Sequence, residues 1–212
     1  RHCVIDDDKY GPEDLAAELS VSRETLMRLQ KFRALLNDWS TKINLIGPKE
    51  LGRFWRRHAF DSAQLLSVAP DAVRWIDAGA GAGFPGIVIA CGLAGRPDAE
   101  VVLVESIAKK CGFLQAAIDA LEIPARVENT RVETLRPFHV DVFTARALAD
   151  LPTLMTYARP YLDRGAIGLF PRGERAEEEL TSIANSKKLR CQLIQSRSDP
   201  RGRIVKVEAL RD

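Results

Sequence analysis

The sequence predicts an α/β fold: a doubly wound, mostly parallel sheet with helices before it and an antiparallel hairpin at its end. From about residue 73 onward, short apolar strands alternate with segments of helical periodicity. That alternation builds a parallel sheet with right-handed crossovers and helices on both faces. Four glycines, Gly79, Gly81, Gly83 and Gly86, join the first strand to its helix. The last two strands are linked by a polar loop with no helix between them, hence a hairpin.

The first 70 residues read as helical. Ser22 suits an N-cap, and Leu26, Leu29, Phe32, Leu36 and Trp39 follow it at helical spacing. Ile43 and Leu45 extend that face until Gly47-Pro48 stops the helix. A second helix is expected over 51–67, closing before Pro70. A strand over 73–78 then enters the glycine turn, and a helix over 84–93 leaves it. The run 101–104 is apolar and ends on Glu105, as in a strand buried on both faces. A helix over 109–121 carries Phe113, Leu114, Ala117, Ile118 and Leu121 on one side. Strands near 125–127 and 140–145 flank a helical piece near 132–135. Helix 151–162, strand 166–170 and helix 174–184 lead to the hairpin, 189–195 and 203–210. Residues 1–70 are thus read as a helical extension and 71–212 as the sheet domain, together one compact unit.

A chain of 212 residues can bury one sizeable core with a small appendage. Its 46% hydrophobic and 28% charged residues are the balance of an ordered globular protein. No apolar run approaches the roughly 20 residues of a membrane span, and the first ten residues hold no apolar signal core. Cys3, Cys91, Cys111 and Cys191 lie far apart with no CxxC pair, which argues for a reducing compartment, the cytoplasm, and against a disulfide frame or a metal site. The net charge of +2 is too small to announce nucleic-acid binding. Its distribution is more informative: Lys187, Lys188, Arg190, Arg197, Arg201, Arg203 and Lys206 face a single acid, Asp199, over 187–206, and Arg53, Arg56, Arg57 and His58 form a second cluster. On charge alone these are solvated faces.

The loop Asp77-Ala-Gly-Ala-Gly-Ala-Gly-Phe-Pro-Gly86 carries the chemistry. Its glycines permit positive φ and let a ligand approach the main chain without a β-carbon in the way. Such a loop can hold a pyrophosphate or the amino-acid end of S-adenosylmethionine. Gly81, Gly83 and Gly86 satisfy GxGxxG, so a dinucleotide reading, and with it an NAD-dependent oxidoreductase, stays open. Glu105 stands where either fold binds ribose hydroxyls. Asp77 before the first glycine and the terminal hairpin favour the methyl donor, as does the want of a second domain for a hydride acceptor. A small-molecule methyltransferase and a non-catalytic adenosylmethionine-binding regulator are the other readings.

Several motifs together resemble the RsmG (GidB) family of bacterial methyltransferases, which modify guanine N7 in 16S ribosomal RNA. They are Leu36-Asn-Asp-Trp39 with Asn44-Leu45, Arg57-His58-Ala-Phe-Asp61-Ser62, the GAGAGFPG loop, Glu105-Ser106-Ile-Ala-Lys109-Lys110, Arg131-Val132-Glu133 and Ala145-Arg146-Ala147. The resemblance spans about residues 35–210. It implies a class I methyltransferase fold, S-adenosylmethionine as cofactor, and 16S rRNA or a small-subunit assembly as partner, with the protein a monomer. It implies Gly79, Phe84, Val132, Glu133 and Arg146 as cofactor-site positions, beside Glu105 from the ribose argument. Arg57, His58, Lys109, Arg172, Arg197, Arg201 and Arg203 are the candidate RNA contacts. Two places depart from the family. Its frequent WNxxxNLT is here Trp39-Ser40 and Asn44-Leu45-Ile46, and its common Lys-Gly after the fifth strand is Arg172-Gly173, a planar fork in place of a point charge. Guanine N7 bears a free lone pair and no proton, so the implied reaction needs no general base, only alignment and exclusion of water.

Overall fold

The computed structural model describes residues 9–184 and 188–210. Helices α1 (Pro12–Leu19), α2 (Arg23–Ser40) and α3 (Pro48–Gly52), a π-helical turn (Phe54–Phe60) and α4 (Asp61–Val68) come first. Then follow β1 (Arg74–Ala78), α5 (Gly86–Leu93), β2 (Glu100–Glu105), α6 (Ala108–Leu121), β3 (Ala125–Asn129), a 3₁₀ turn (Val132–Thr134) and β4 (Val142–Thr144). The chain ends with α7 (Leu151–Leu162), β5 (Ile167–Arg172), α8 (Ala176–Ala184), β6 (Leu189–Gln195) and β7 (Arg203–Ala209).

The seven strands form one sheet in the order β3-β2-β1-β4-β5-β7-β6. β1 to β5 are parallel, while β7 runs antiparallel to both β5 and β6. Neighbouring residues on a strand feed opposite faces. Trp75, Val101 and Leu103 join one apolar cluster with Leu29, Phe32, Phe54, Ile87 and Phe113, whereas Ile76, Val102 and Val104 join another with Leu154, Tyr161 and Phe170. The N-terminal helices, α5 and α6 cover the first face; α7 and α8 cover the second.

Two early elements differ from the sequence expectation. α2 stops at Ser40, where the Trp39 carbonyl accepts from both Lys42 N and Ile43 N at 2.9 Å. Ile43 and Leu45 still pack on the core from a turn, so their apolar spacing reflected burial and not helix. The single helix expected over 51–67 is three pieces, the middle one π-helical, and six of its seven residues are buried. Elsewhere the pattern holds: Ser22 caps α2 by accepting from Thr25 N at 3.1 Å, and Asp150 caps α7 through Thr153 N. Among the described residues no helix is long and apolar enough to cross a membrane. Lys187 of the basic run, and Cys3, lie outside the described residues.

The start of α5 depends on a missing β-carbon. A Cβ at Gly86 would sit 2.2 Å from Leu103 Cδ2 and 2.6 Å from Asp77 Oδ2. Gly86→Ala is therefore expected to cost about 1–3 kcal/mol, as other overpacked sites do. Gly112→Ala, inside α6 with nothing within 4 Å of the new carbon, is expected to gain up to about 1 kcal/mol. Thermal denaturation of both variants checks this. Shifts of the same sign would remove the close-packing account.

Candidate active site

Order reverses at β1: the chain builds β2 and β3 on one side, then returns to place β4 and β5 on the other. Open α/β sheets bind ligands beyond the carboxyl ends of the strands at such a switch point. The glycine turn lies there, with φ of +73° at Gly79, +55° at Gly81 and +93° at Gly83. Gly79 N and Ala80 N both donate to the Val104 carbonyl, at 2.9 and 3.0 Å, which ties the turn to β2. Glu105 Oε2 accepts from Gly81 N at 3.0 Å and Oε1 from Ile107 N at 2.9 Å. A carboxylate has about four lone-pair sites, so both oxygens keep capacity for ligand hydroxyls.

Beneath the turn, Asp77 is fully buried and its Oδ2 accepts from Gly86 N at 2.8 Å. Among the described residues Oδ1 has no partner. Burial, set against the Gly86 bond and the Arg146 charge, lifts its pKa to about 7.

A cavity of about 460 Å³ opens over this edge, lined by Gly79, Glu105, Ile107, Val132, Glu133 and Leu148 among others. Its size falls within the usual range of small-molecule sites. Ile107 and Leu148 are two of the few large apolar side chains left exposed, and they offer apolar walls for a flat ring. A Cβ on Gly79 would lie 2.7 Å from Leu148 Cδ1, so the wall and the turn fit only with glycine there. An acid for ribose hydroxyls, apolar walls for a base and bare backbone for an amino-acid end suit S-adenosylmethionine.

A second cavity, of about 420 Å³, lies beside the first and shares Arg146 and Ala147 with it. Glu50, Arg57, His58, Asp61, Arg172 and Asp199 contribute to its walls. Arg146 is the node. Its Nη1 donates to the Arg57 carbonyl at 3.2 Å and lies 3.5 Å from Asp61 Oδ2. Its Nη2 is 2.9 Å from His58 Nδ1, and the guanidinium stands 5.1 Å from the centre of the Phe84 ring. His58 stacks on the same ring at 4.7 Å. Burial first, then the charges of Arg146 and Arg57, lower the His58 pKa to about 3. The imidazole is neutral at ordinary pH. Ala147, next in sequence, has φ of +55°, a conformation that non-glycine residues hold only where their surroundings impose it.

The N-terminal helices and the β6–β7 loop meet at this cavity. Asp61 Oδ1 accepts from Ser198 Oγ at 2.7 Å and Gln64 Nε2 at 3.1 Å. Arg56, read from the sequence as part of a solvated cluster, is 5% exposed. It donates from Nε to the Ser198 carbonyl at 2.9 Å and lies over the Tyr10 ring.

Of the expected cofactor residues, Gly79, Glu105, Val132, Glu133 and Arg146 line one cavity, and Phe84 does not. Phe84 is core, packed against Phe32 and Phe54 and flooring His58 and Arg146. Among the expected RNA contacts, Arg57 and His58 line the second cavity, and Lys109 lines neither; Lys110 reaches the first. Arg172 also lines the second, but its Nε donates to Glu179 Oε2 at 2.8 Å and its Nη1 to the Ala149 carbonyl at 3.1 Å. It fastens β5 to α8 and to the segment after β4. Arg201 pairs with Glu174 at 2.9 Å, Arg203 approaches Glu177 at 3.8 Å, and Arg197 donates to the Glu18 carbonyl at 2.7 Å. Glu50, Ile107 and Leu148 were not singled out from the sequence. Asp61 stood in a motif, its reading between an RNA contact and a helix anchor; Ile107 and Leu148 follow strand ends, which was a usable sign, and Glu50 gave none.

The strand order, the glycine turn after β1 and the acid ending β2 define a class I, S-adenosylmethionine-dependent methyltransferase. A putative O-methyltransferase from Klebsiella pneumoniae has the same fold, with a TM-score of 0.59 at 13% identity over 87% of this chain and 90% of that one. The family model of GidB, rRNA small subunit methyltransferase G, matches residues 25–198, and the chain belongs to that family. Similar relatives include Ribosomal RNA small subunit methyltransferase G of Caulobacter sp. (strain K31), 48% identical over 88% of this chain and 84% of its own. That of Hyphomonas neptunium is 46% identical over 91% and 93%.

Proposed function

We propose that this chain methylates N7 of a guanine in 16S ribosomal RNA, acting as a monomer in the cytoplasm on the small subunit or its precursor. The observation that carries the reading is the pair of adjoining cavities with Arg146 in their common wall. One suits the cofactor; the other is the place for the base. In this reading residues 71–212 are the catalytic domain, and the helices of 1–70 supply one side of the base cavity.

When bound, S-adenosylmethionine supplies a methyl carbon activated by its sulfonium. The protein holds the donor through Glu105 and the glycine turn, and Arg146 aligns the two cavities. Guanine N7 would take the methyl with its own lone pair while the carbon–sulfur bond breaks and its electrons stay on sulfur, so no side chain has to take a proton. A neutral His58 with a pKa near 3, its Nδ1 already facing Arg146, is a poor base, in keeping with that demand. A-form RNA hides guanine N7 in a narrow groove, so the target lies in a loop or is turned out of its stack. Arg57, Arg201 and Arg203 meet the phosphates by exchanging their acidic partners for them, and Arg197 by leaving the Glu18 carbonyl.

Glu105→Ala is expected to weaken S-adenosylmethionine binding by about 1.5–3 kcal/mol, the range for hydrogen bonds to a charged group, as read by titration calorimetry. Undiminished affinity, or tighter binding of NAD, would move the site away from this cofactor. The reaction itself is tested by transfer of tritiated methyl to rRNA or small subunits from a strain lacking the protein, followed by mapping of the labelled base. Label at any atom but guanine N7 would refute the reading.

A further inference from the structure

We propose, resting on the guanine-N7 reading above, that the second cavity is the guanine subsite and that Glu50, beside the buried His58, is the residue that reads the base. An arginine has only donors, so His58 Nδ1, 2.9 Å from Arg146 Nη2, must accept, and the ring proton sits on Nε2. His58 is 9% exposed and lines the cavity. Among the described residues its Nε2 makes no hydrogen bond of good geometry; the Glu50 main chain lies close enough to raise its pKa a little against burial, and Glu50 Oε2 stands 3.4 Å away. A buried donor held this loosely gains from a well-placed ligand acceptor.

Glu50 is the least engaged acid of the cavity. Besides His58 its ion-pair neighbour is Arg53 at 3.6 Å, and its side chain is 41% exposed. Asp61 is held by Ser198 and Gln64, Glu179 by Arg172, and Asp199 by Arg57 at 3.0 Å. Arg146 lines both cavities, and the contacts run from it through His58 to Glu50, which line the second alone. The edge of guanine has a matching order. N7 and O6 accept, and beyond them N1–H and the 2-amino group donate. With N7 toward the cofactor cavity, O6 meets the Nε2–H of His58, and the two N–H groups meet the Glu50 carboxylate. Adenine reverses both terms: its 6-amino group would face the Nε2–H, and its bare N1 would face the carboxylate. Sites built around a substrate N–H reject analogues that lack it.

Inosine at the target position removes one of the two hydrogen bonds assigned to Glu50, because it keeps N7, O6 and N1–H and lacks only the 2-amino group. The experiment is single-turnover methyl transfer into small subunits reconstituted with guanine or inosine there, with cofactor affinity measured alongside by calorimetry. The parent protein is expected to favour guanine by about 10- to 100-fold, the range for one hydrogen bond to a charged acceptor. Glu50→Ala should bring the ratio close to one with cofactor affinity unchanged, and Glu50→Gln should fall between. Glu50→Ala slowing both bases alike, with the ratio intact, would make Glu50 a support of the short helix and overturn the assignment. A parent that methylates guanine and inosine equally would also overturn it while leaving the guanine-N7 reading standing. A parent inactive on guanine would overturn both.

Discussion

Arg146→Ala is expected to slow single-turnover methyl transfer at least about a hundredfold, the loss that follows a misplacement of about 1 Å at a reacting centre. The guanidinium binds the Arg57 carbonyl, His58 and Asp61 while covering Phe84, and both cavities share it. Without it the wall between donor and acceptor loses the contact that joins His58 to Asp61. Arg146→Lys keeps the charge but lacks the planar fork, so it should recover little of the rate. A readout independent of turnover comes from His58. The Arg146 charge is the second cause, after burial, of its lowered pKa, so the imidazole in a folded Arg146→Ala protein should titrate at a higher pH by NMR. If Arg146→Ala and Arg146→Lys both stay within tenfold of the parent, and His58 is unmoved, Arg146 does not organise the site.

Much of the cofactor cavity is legible in the sequence because its parts are local. A strand, a glycine turn and an acid at the next strand end are set by φ preferences and apolar runs within about thirty residues. The base cavity is not local. Arg56 looked like surface charge, yet tertiary packing places it over Tyr10 and under the Ser198 carbonyl. The basic run over 187–206 looked opposed by Asp199 alone, yet α8 and its approach bring Glu174 and Glu177 against Arg201 and Arg203. Phe84 carries the family motif and serves as core. Glu50, in a five-residue helix, has no periodicity to reveal it. Charge counting along a chain cannot see which side chains a crossover or a distant loop brings together.

The buried titratable pair at this site should leave opposite marks on stability. His58 has its folded pKa lowered to about 3 from 6.5. Between those values the unfolded chain binds the extra proton, so its contribution is present above pH 6.5 and is lost as pH falls. Asp77 has its folded pKa raised to about 7 from 3.8, chiefly by burial. Here the folded state keeps the proton, so its contribution is present below pH 3.8 and is lost as pH rises toward 7. Each slope is about 1.4 kcal/mol per pH unit, and from 3.8 to 6.5 the two cancel. The variants uncouple them. Asp77→Asn, which keeps an acceptor for Gly86 N, should gain on the parent by about 4 kcal/mol between pH 4 and pH 7. His58→Gln should lose on the parent by about 3 kcal/mol between pH 4 and pH 6.5. Denaturant unfolding across that range, taken as variant minus parent so that all other groups drop out, reads both slopes. A difference curve for Asp77→Asn that is flat with pH would mean that Asp77 is ionised in the folded protein, and that the Gly86 hydrogen bond and the Arg146 charge together outweigh burial beneath the glycine turn.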